Sequence, residues 1–291
     1  MSATASPKVD RAIRLHDGRQ LAYSEWGDVA GSPVFLFNGT PASRLLCPDQ
    51  EATEQAGVRL LTVDRPGYGG SDPRRGRTLL DFVDDFAELL DQLDLPRSPV
   101  LGWSGGGPYA MAAAFSLPDR IPVLGLAASP APTEALPELL DVNSENGRVS
   151  IALLRRDRDA GIAAFERDRV WFLDDGVASM LADSFDETDA RVVADPTTRE
   201  AFLTMFREAA RQGSAGFVGD DVAEYGPWGF MPADIQQPVR IWCGELDTNV
   251  DQRNTDYLAG AIPNASVVTF SGEGHLFPIQ HWGEMLATLL R

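Results

Sequence analysis

With 291 residues the chain is long enough to bury a sizeable core as one large domain, or as one domain carrying an insertion. Its 44% hydrophobic share is ordinary for a globular protein and argues against a disordered chain. A formal net charge of −18 sets it against nucleic acid and anionic membrane surfaces, so the expected partner is a small-molecule substrate, with no nucleic acid and no membrane.

Residues 1–8 lack the apolar stretch of a secretory signal, and no apolar run approaches a membrane span. The expectation is a soluble cytoplasmic protein, a monomer or homodimer. Residues 11–26 alternate apolar and polar side chains around Asp17-Gly18, which predicts a hairpin. Short apolar runs at 34–37 and 60–63 predict strands, the first ending in Asn38-Gly39 and the second in Asp64-Arg65-Pro66-Gly67. Cys47, in a helix-like stretch, and Cys243, in an apolar strand, show neither disulfide nor metal spacing and read as buried free thiols. Leu79, Phe82, Val83, Phe86, Leu89, Leu90 and Leu93 recur at helical spacing over 78–93. A strand at 100–103 then runs into Ser104, and an alanine-rich helix from about Tyr109 to Leu117 ends at Pro118.

Further strands are predicted at 123–127, 239–243 and 267–270, and a leucine-rich helix closes the chain. Between them, residues 133–231 hold no convincing strand; Ile151, Leu153, Leu154, Phe202, Leu203, Met205 and Phe206 recur at helical spacing. The chain is therefore expected to be α/β, a mostly parallel eight-stranded sheet with helices on both faces. Residues 1–132 and 232–291 would form the core, and 133–231 an all-helical cap over the strand ends. Functional groups in such sheets gather where strands end.

Ser104 stands between Gly102 and Gly106, the spacing of a sharp strand-to-helix turn with an exposed hydroxyl at its tip. Composition alone can supply such a pentapeptide, so its neighbours decide its weight. Asp247 follows the 239–243 strand and His275 follows the 267–270 strand, so serine, acid and histidine each lie shortly after a buried strand. A serine hydroxyl needs a base, imidazole has a suitable pKa, and a carboxylate fixes the imidazole tautomer. His16 sits beside the hairpin turn and His281 in the last helix, which leaves His275 as the base. Glu245 and Asp251 also lie near the acid position, the first able to bond its own loop and the second to cap the next helix; Asp247 is preferred. Oxyanion donors are expected from the backbone amides of Gly105 and Thr40.

At this point the chain resembles the α/β-hydrolase superfamily, in its serine-nucleophile branch with a helical cap. The likeness covers nearly the whole chain and rests on residues 38–44, 64–72, 102–106, 244–247, 272–275 and the Pro227-Trp228-Gly229-Phe230 junction. Relatives usually carry His-Gly where this chain has Asn38-Gly39, a change that a backbone donor tolerates. Serine at the nucleophile position sets the chain apart from relatives that place aspartate there, the epoxide hydrolases and haloalkane dehalogenases.

Together these readings predict a carboxylesterase-like serine hydrolase that cleaves an ester or lactone of a small-to-medium apolar substrate through an acyl-enzyme. No metal or organic cofactor is called for. Asn38, Trp103, Trp171, Phe206 and Trp228 are expected to meet the substrate, amid further cap aromatics. The same triad also suits carbon–carbon or amide bonds; a peptide substrate would need a cap carboxylate such as Glu166, Glu200 or Glu208 for its free amine. A ligand receptor with a vestigial triad is the alternative outside enzymes.

Overall fold

A computed structural model describes residues 6–142, 145–170 and 186–291. Its strands are β1 (Val9–Arg14), β2 (Gln20–Gly27), β3 (Ser32–Phe37), β4 (Val58–Val63), β5 (Val100–Trp103), β6 (Leu124–Ala127), β7 (Val239–Gly244) and β8 (Ala265–Phe270). They form one sheet in the order β1-β2-β4-β3-β5-β6-β7-β8. β1, β2 and β4 pair antiparallel, and every later pairing is parallel. The β1–β2 hairpin turns through Asp17-Gly18, where Gly18 takes a φ of +90° that an L side chain resists.

Helices α1 (Gln50–Gln55), α2 (Leu79–Gln92) and α3 (Gly106–Ser116) follow β3, β4 and β5. Thr78 and Asp81 close a capping box at the start of α2, and its apolar stripe packs Phe82 and Phe86 edge-on against Phe37. α3 is buried on nearly every side, as its small side chains allow, and it starts at Gly106, earlier than the alanine periodicity suggests. The turn at Ser104 thus leads straight into the helix.

Two expectations are corrected. Cys47 is buried, but it lies in irregular chain ahead of α1. β8 is the sheet's outer edge and is exposed over most of its length, with Val267 at 42% and Val268 at 37%, so its apolar residues do not mark a buried strand.

Among the described residues of 133–231 the regular structure is helical: α4 (Glu145–Arg156), α5 (Arg158–Asp168), α6 (Glu187–Val193), α7 (Pro196–Ala209) and α8 (Ala215–Tyr225), with short 3-10 turns. Val193, Phe202, Met205 and Phe206 join one apolar cluster with Leu36, Trp103 and Leu276. Ala223, Trp228 and Phe230 join the cluster of Phe82 and Tyr109. A smaller cluster of Ile151, Leu154, Ile162, Phe165, Val218 and Val222 binds α4, α5 and α8 to one another. Helices α9 (Gln252–Ala261) and α10 (Phe277–Leu289) complete the chain. Among the described residues no helix is long and apolar enough to cross a membrane.

Candidate active site

β5 delivers Ser104 to a turn that only small neighbours permit. A Cβ on Gly102 would lie 2.5 Å from Gly106 O, and one on Gly106 would lie 2.8 Å from Asn38 O. Ser104 itself has a φ of +52°, a left-handed value that costs a non-glycine residue on the order of 1–3 kcal/mol. The turn is held by Ser104 N donating to Ala127 O and Gly107 N to Ser104 O, both at 2.8 Å. The N-terminus of α3, with its partial positive charge, faces the same point.

The loops after β7 and β8 are laced together, with Leu246 N donating to Glu273 O at 2.8 Å. Asp247 Oδ2 lies 2.9 Å from His275 Nδ1, while its Oδ1 accepts from the amides of Asn249 and Val250. This assigns the Nδ1–H tautomer and leaves Nε2 as the acceptor. Burial opposes a charged His275, but Asp247 outweighs it, with help from Asp189 and Asp186, and holds the imidazole above its ordinary pKa. The other acids sit as their alternative readings had them: Glu245 accepts from Ser271 Oγ and Gly272 N, and Asp251 caps α9. His16 pairs with Glu88, and His281 stacks on Phe270 beside Glu273.

Sequence reasoning missed Asp189. This α6 residue is 1% exposed, and its carboxylate accepts from the amides of His275 at 3.1 Å and Leu276 at 2.8 Å. Its neighbour Asp186 accepts from Thr248 Oγ1 at 3.0 Å, so α6 grips the loops of both Asp247 and His275. Trp103 braces the carbonyl of His275 through Nε1 at 3.3 Å.

The third loop, 38–40, lies against the serine; a Cβ on Gly39 would stand 3.2 Å from Ser104 Cβ. Buried Arg65 holds it, donating from Nη1 to Asn38 O at 2.5 Å and from Nη2 to Gly39 O at 2.7 Å. The expected substrate contact of Asn38 is corrected here. Its amide group is turned inward, donating to Ser43 O and Leu46 O, and its Oδ1 is buried with no partner among the described residues. The side chain is spent on its own loop.

Arg65 belongs to a buried ionic cluster centred on Asp220 of α8. Arg65, Arg77, Tyr68 and Tyr109 all donate to the Asp220 carboxylate. Burial disfavours that charge, yet the two guanidinium groups overcome it and hold the carboxyl well below its usual range. A third buried arginine, Arg44, joins Asp64 at 2.6 Å to Glu208 of α7 at 2.7 Å.

Ser104, His275, Thr40 and Gly105 line one cavity of about 520 Å³. Trp103, Phe206 and Trp228 also line it, whereas Trp171 lies outside the described residues. The carboxylates considered for a peptide amine pair elsewhere: Glu166 with Arg75, Glu200 with Arg207 and Glu208 with Arg44. Glu224 and Asp221 line the cavity in their place, Asp221 bound to Arg169 at 2.7 Å. Burial pushes Asp221 up to about 6 and Glu224 up to about 8. The available signal was a cluster of acids inside the apolar stretch 215–225, where helical spacing does not separate a solvated acid from a buried one.

A sequence profile described as the Alpha/beta hydrolase family matches residues 25–288. The chain is 27% identical over 289 residues to a 2-hydroxy-6-oxononadienedioate/2-hydroxy-6-oxononatrienedioate hydrolase of Pseudomonas putida, covering 93% of this chain and 91% of that one. It spans 38% and 41% of the length of two further curated relatives. Its fold is similar to the crystal structure of an enol-lactonase from Burkholderia xenovorans (TM-score 0.67, 21% identity, 96% of this chain and 98% of that one). It is also similar to a thermophilic esterase from Thermogutta terrifontis (TM-score 0.67, 23% identity, 97% of each chain).

Proposed function

The chain belongs to the alpha/beta hydrolase family, and from that premise we propose that it hydrolyses an ester or lactone of a small-to-medium apolar substrate through an acyl-enzyme on Ser104. The observation that carries this reading is the pairing of His275 Nδ1 with Asp247 beside a strained serine on the same cavity. His275 Nε2 takes the Ser104 proton as Oγ attacks the carbonyl carbon, and the carbonyl π electrons move onto oxygen. The amides of Gly105 and Thr40 receive that oxyanion. Its collapse expels the alcohol, protonated by His275, and leaves the acyl-serine. Water then repeats the sequence and releases the acid.

Trp103, Phe202, Phe206 and Trp228 give the cavity apolar walls, which supports an uncharged acyl or ring substrate. We read residues 133–231 as the cap over this cavity. Ser104→Ala should abolish turnover of an activated short-chain ester, and with it labelling by a fluorophosphonate, while the circular dichroism spectrum stays that of the parent. Undiminished turnover in that variant would refute the assignment. The likeness to the Pseudomonas putida hydrolase favours a second reading, carbon–carbon cleavage of a diketone by the same residues. Comparing kcat/KM for esters, lactones and vinylogous diketones separates the two.

A further inference from the structure

The Thr40 hydroxyl has two carboxyl groups and a guanidinium around it. Asp220 Oδ2 lies at 2.8 Å, Glu224 Oε1 at 2.7 Å and Arg65 Nη2 at 3.2 Å. A hydroxyl has one proton to donate and two lone pairs with which to accept. If that proton goes to Asp220, Glu224 Oε1 faces a lone pair at hydrogen-bond distance, and only a proton on Glu224 makes the contact attractive. Giving it to Glu224 moves the same conflict to Asp220. The three groups therefore need one proton more than a threonine and two carboxylates supply.

Asp220 is the wrong home for it, because two arginines and two tyrosines already donate to its oxygens. Glu224 has no such ring of donors among the described residues. With the proton on Glu224, Thr40 accepts from Glu224 and Arg65 and donates to Asp220, and every contact is satisfied.

We propose that Glu224 works as a neutral carboxylic acid which, by donating to Thr40 Oγ1, is a positioning residue for the loop that meets the oxyanion. The proposal rests on the roles given above to Ser104, Gly105 and Thr40. A Cβ on Gly105 would lie 2.7 Å from Glu224 Oε1, so an ionised Glu224 would set a negative charge where the oxyanion forms. The groups acting on Glu224 are Asp220 and Asp221 from α8 itself, Arg65 from the loop after β4 and Tyr109 from α3, and Arg169 after α5 and His275 line the same cavity. Burial chiefly opposes its ionisation, Asp220 and Asp221 add to that, and Arg65 counters it; the balance stands at about 8.

Turnover is supported while Glu224 holds its proton and declines as pH rises through about 8. In the wild type, kcat/KM for an activated ester should rise on the acid side as His275 loses its proton, then fall on the alkaline side. Glu224→Gln keeps a donor toward Thr40, so its plateau should drop by less than about tenfold while the alkaline fall disappears. Infrared spectra give a reading free of turnover. The wild type should show a protonated-carboxyl C=O band that bleaches through the same pH range, and Glu224→Gln should lack it. An alkaline fall that persists in Glu224→Gln, or no infrared difference between the two proteins, overturns the proposal. If the wild type turns over no ester, the function proposed above fails, and the infrared comparison still decides the state of Glu224.

Discussion

Asp247 meets His275 at Nδ1, so its replacement by asparagine keeps the shape of the site but no longer enforces the Nδ1–H tautomer. Asp247→Asn should lower kcat for an activated ester on the order of 10⁴-fold with little change in KM. A loss of merely a few-fold in steady-state kinetics would show that the carboxylate does not serve the imidazole. The residues of this pair were legible because each follows a strand, and because His275 stands in Gly274-His275 on a loop while the other histidines have ordinary places. Asn38 was misjudged for a local reason. A polar side chain next to a glycine in a strand-end loop reads the same whether it faces substrate or its own backbone.

Among the elements, the short helix α6 bonds the loops of both Asp247 and His275. Asp189 receives two amides of the histidine loop, and Gly274 leaves room for it, since a Cβ there would lie 2.5 Å from Asp189 Oδ1. Asparagine offers one acceptor where two amides need receiving, and it removes a negative charge that favours protonated His275. Asp189→Asn should therefore lower kcat by about ten- to hundredfold and move the acid limb of the pH profile toward lower pH. A lowered kcat with an unmoved limb would assign Asp189 a packing role alone. Strands and α2 were readable from periodicity, as the buried stripe of Leu79, Phe82, Phe86 and Leu89 shows. β8 was misread because apolar residues also occupy an edge strand, and the acids of α8 were passed over because they turn inward to buried arginines distant in sequence.

At the scale of the whole molecule, buried carboxyls shape the response to pH. Glu224 in the folded chain stands at about 8 against an ordinary 4.5, so the native state binds the extra proton. A raised folded pKa contributes stability that is complete below the unfolded value and is lost as pH rises through the folded one. Between about 4.5 and about 8, chemical denaturation of Glu224→Gln should show a stability that declines less steeply than the wild type, by about 1.4 kcal/mol per pH unit. Equal slopes would mean that the carboxyl is ionised in the fold. The sheet architecture was legible apart from the exposure of β8, since alternation of strands and helices constrains topology strongly. The proton inventory of the cavity was not, because it depends on contacts between Thr40 and residues some 180 positions away.

The arginine cluster has a consequence for how the cavity treats its guests. Arg65 and Arg77 on Asp220, and Arg44 on Glu208, join the sheet's loops to α8 and α7. Removing one partner of such a pair, as in Asp220→Ala, leaves buried charge uncompensated and costs about 3–5 kcal/mol, so the fit of both helices against the sheet depends on keeping each pair complete. On the function proposed above, the shape that these ties give the cavity is what a substrate has to match.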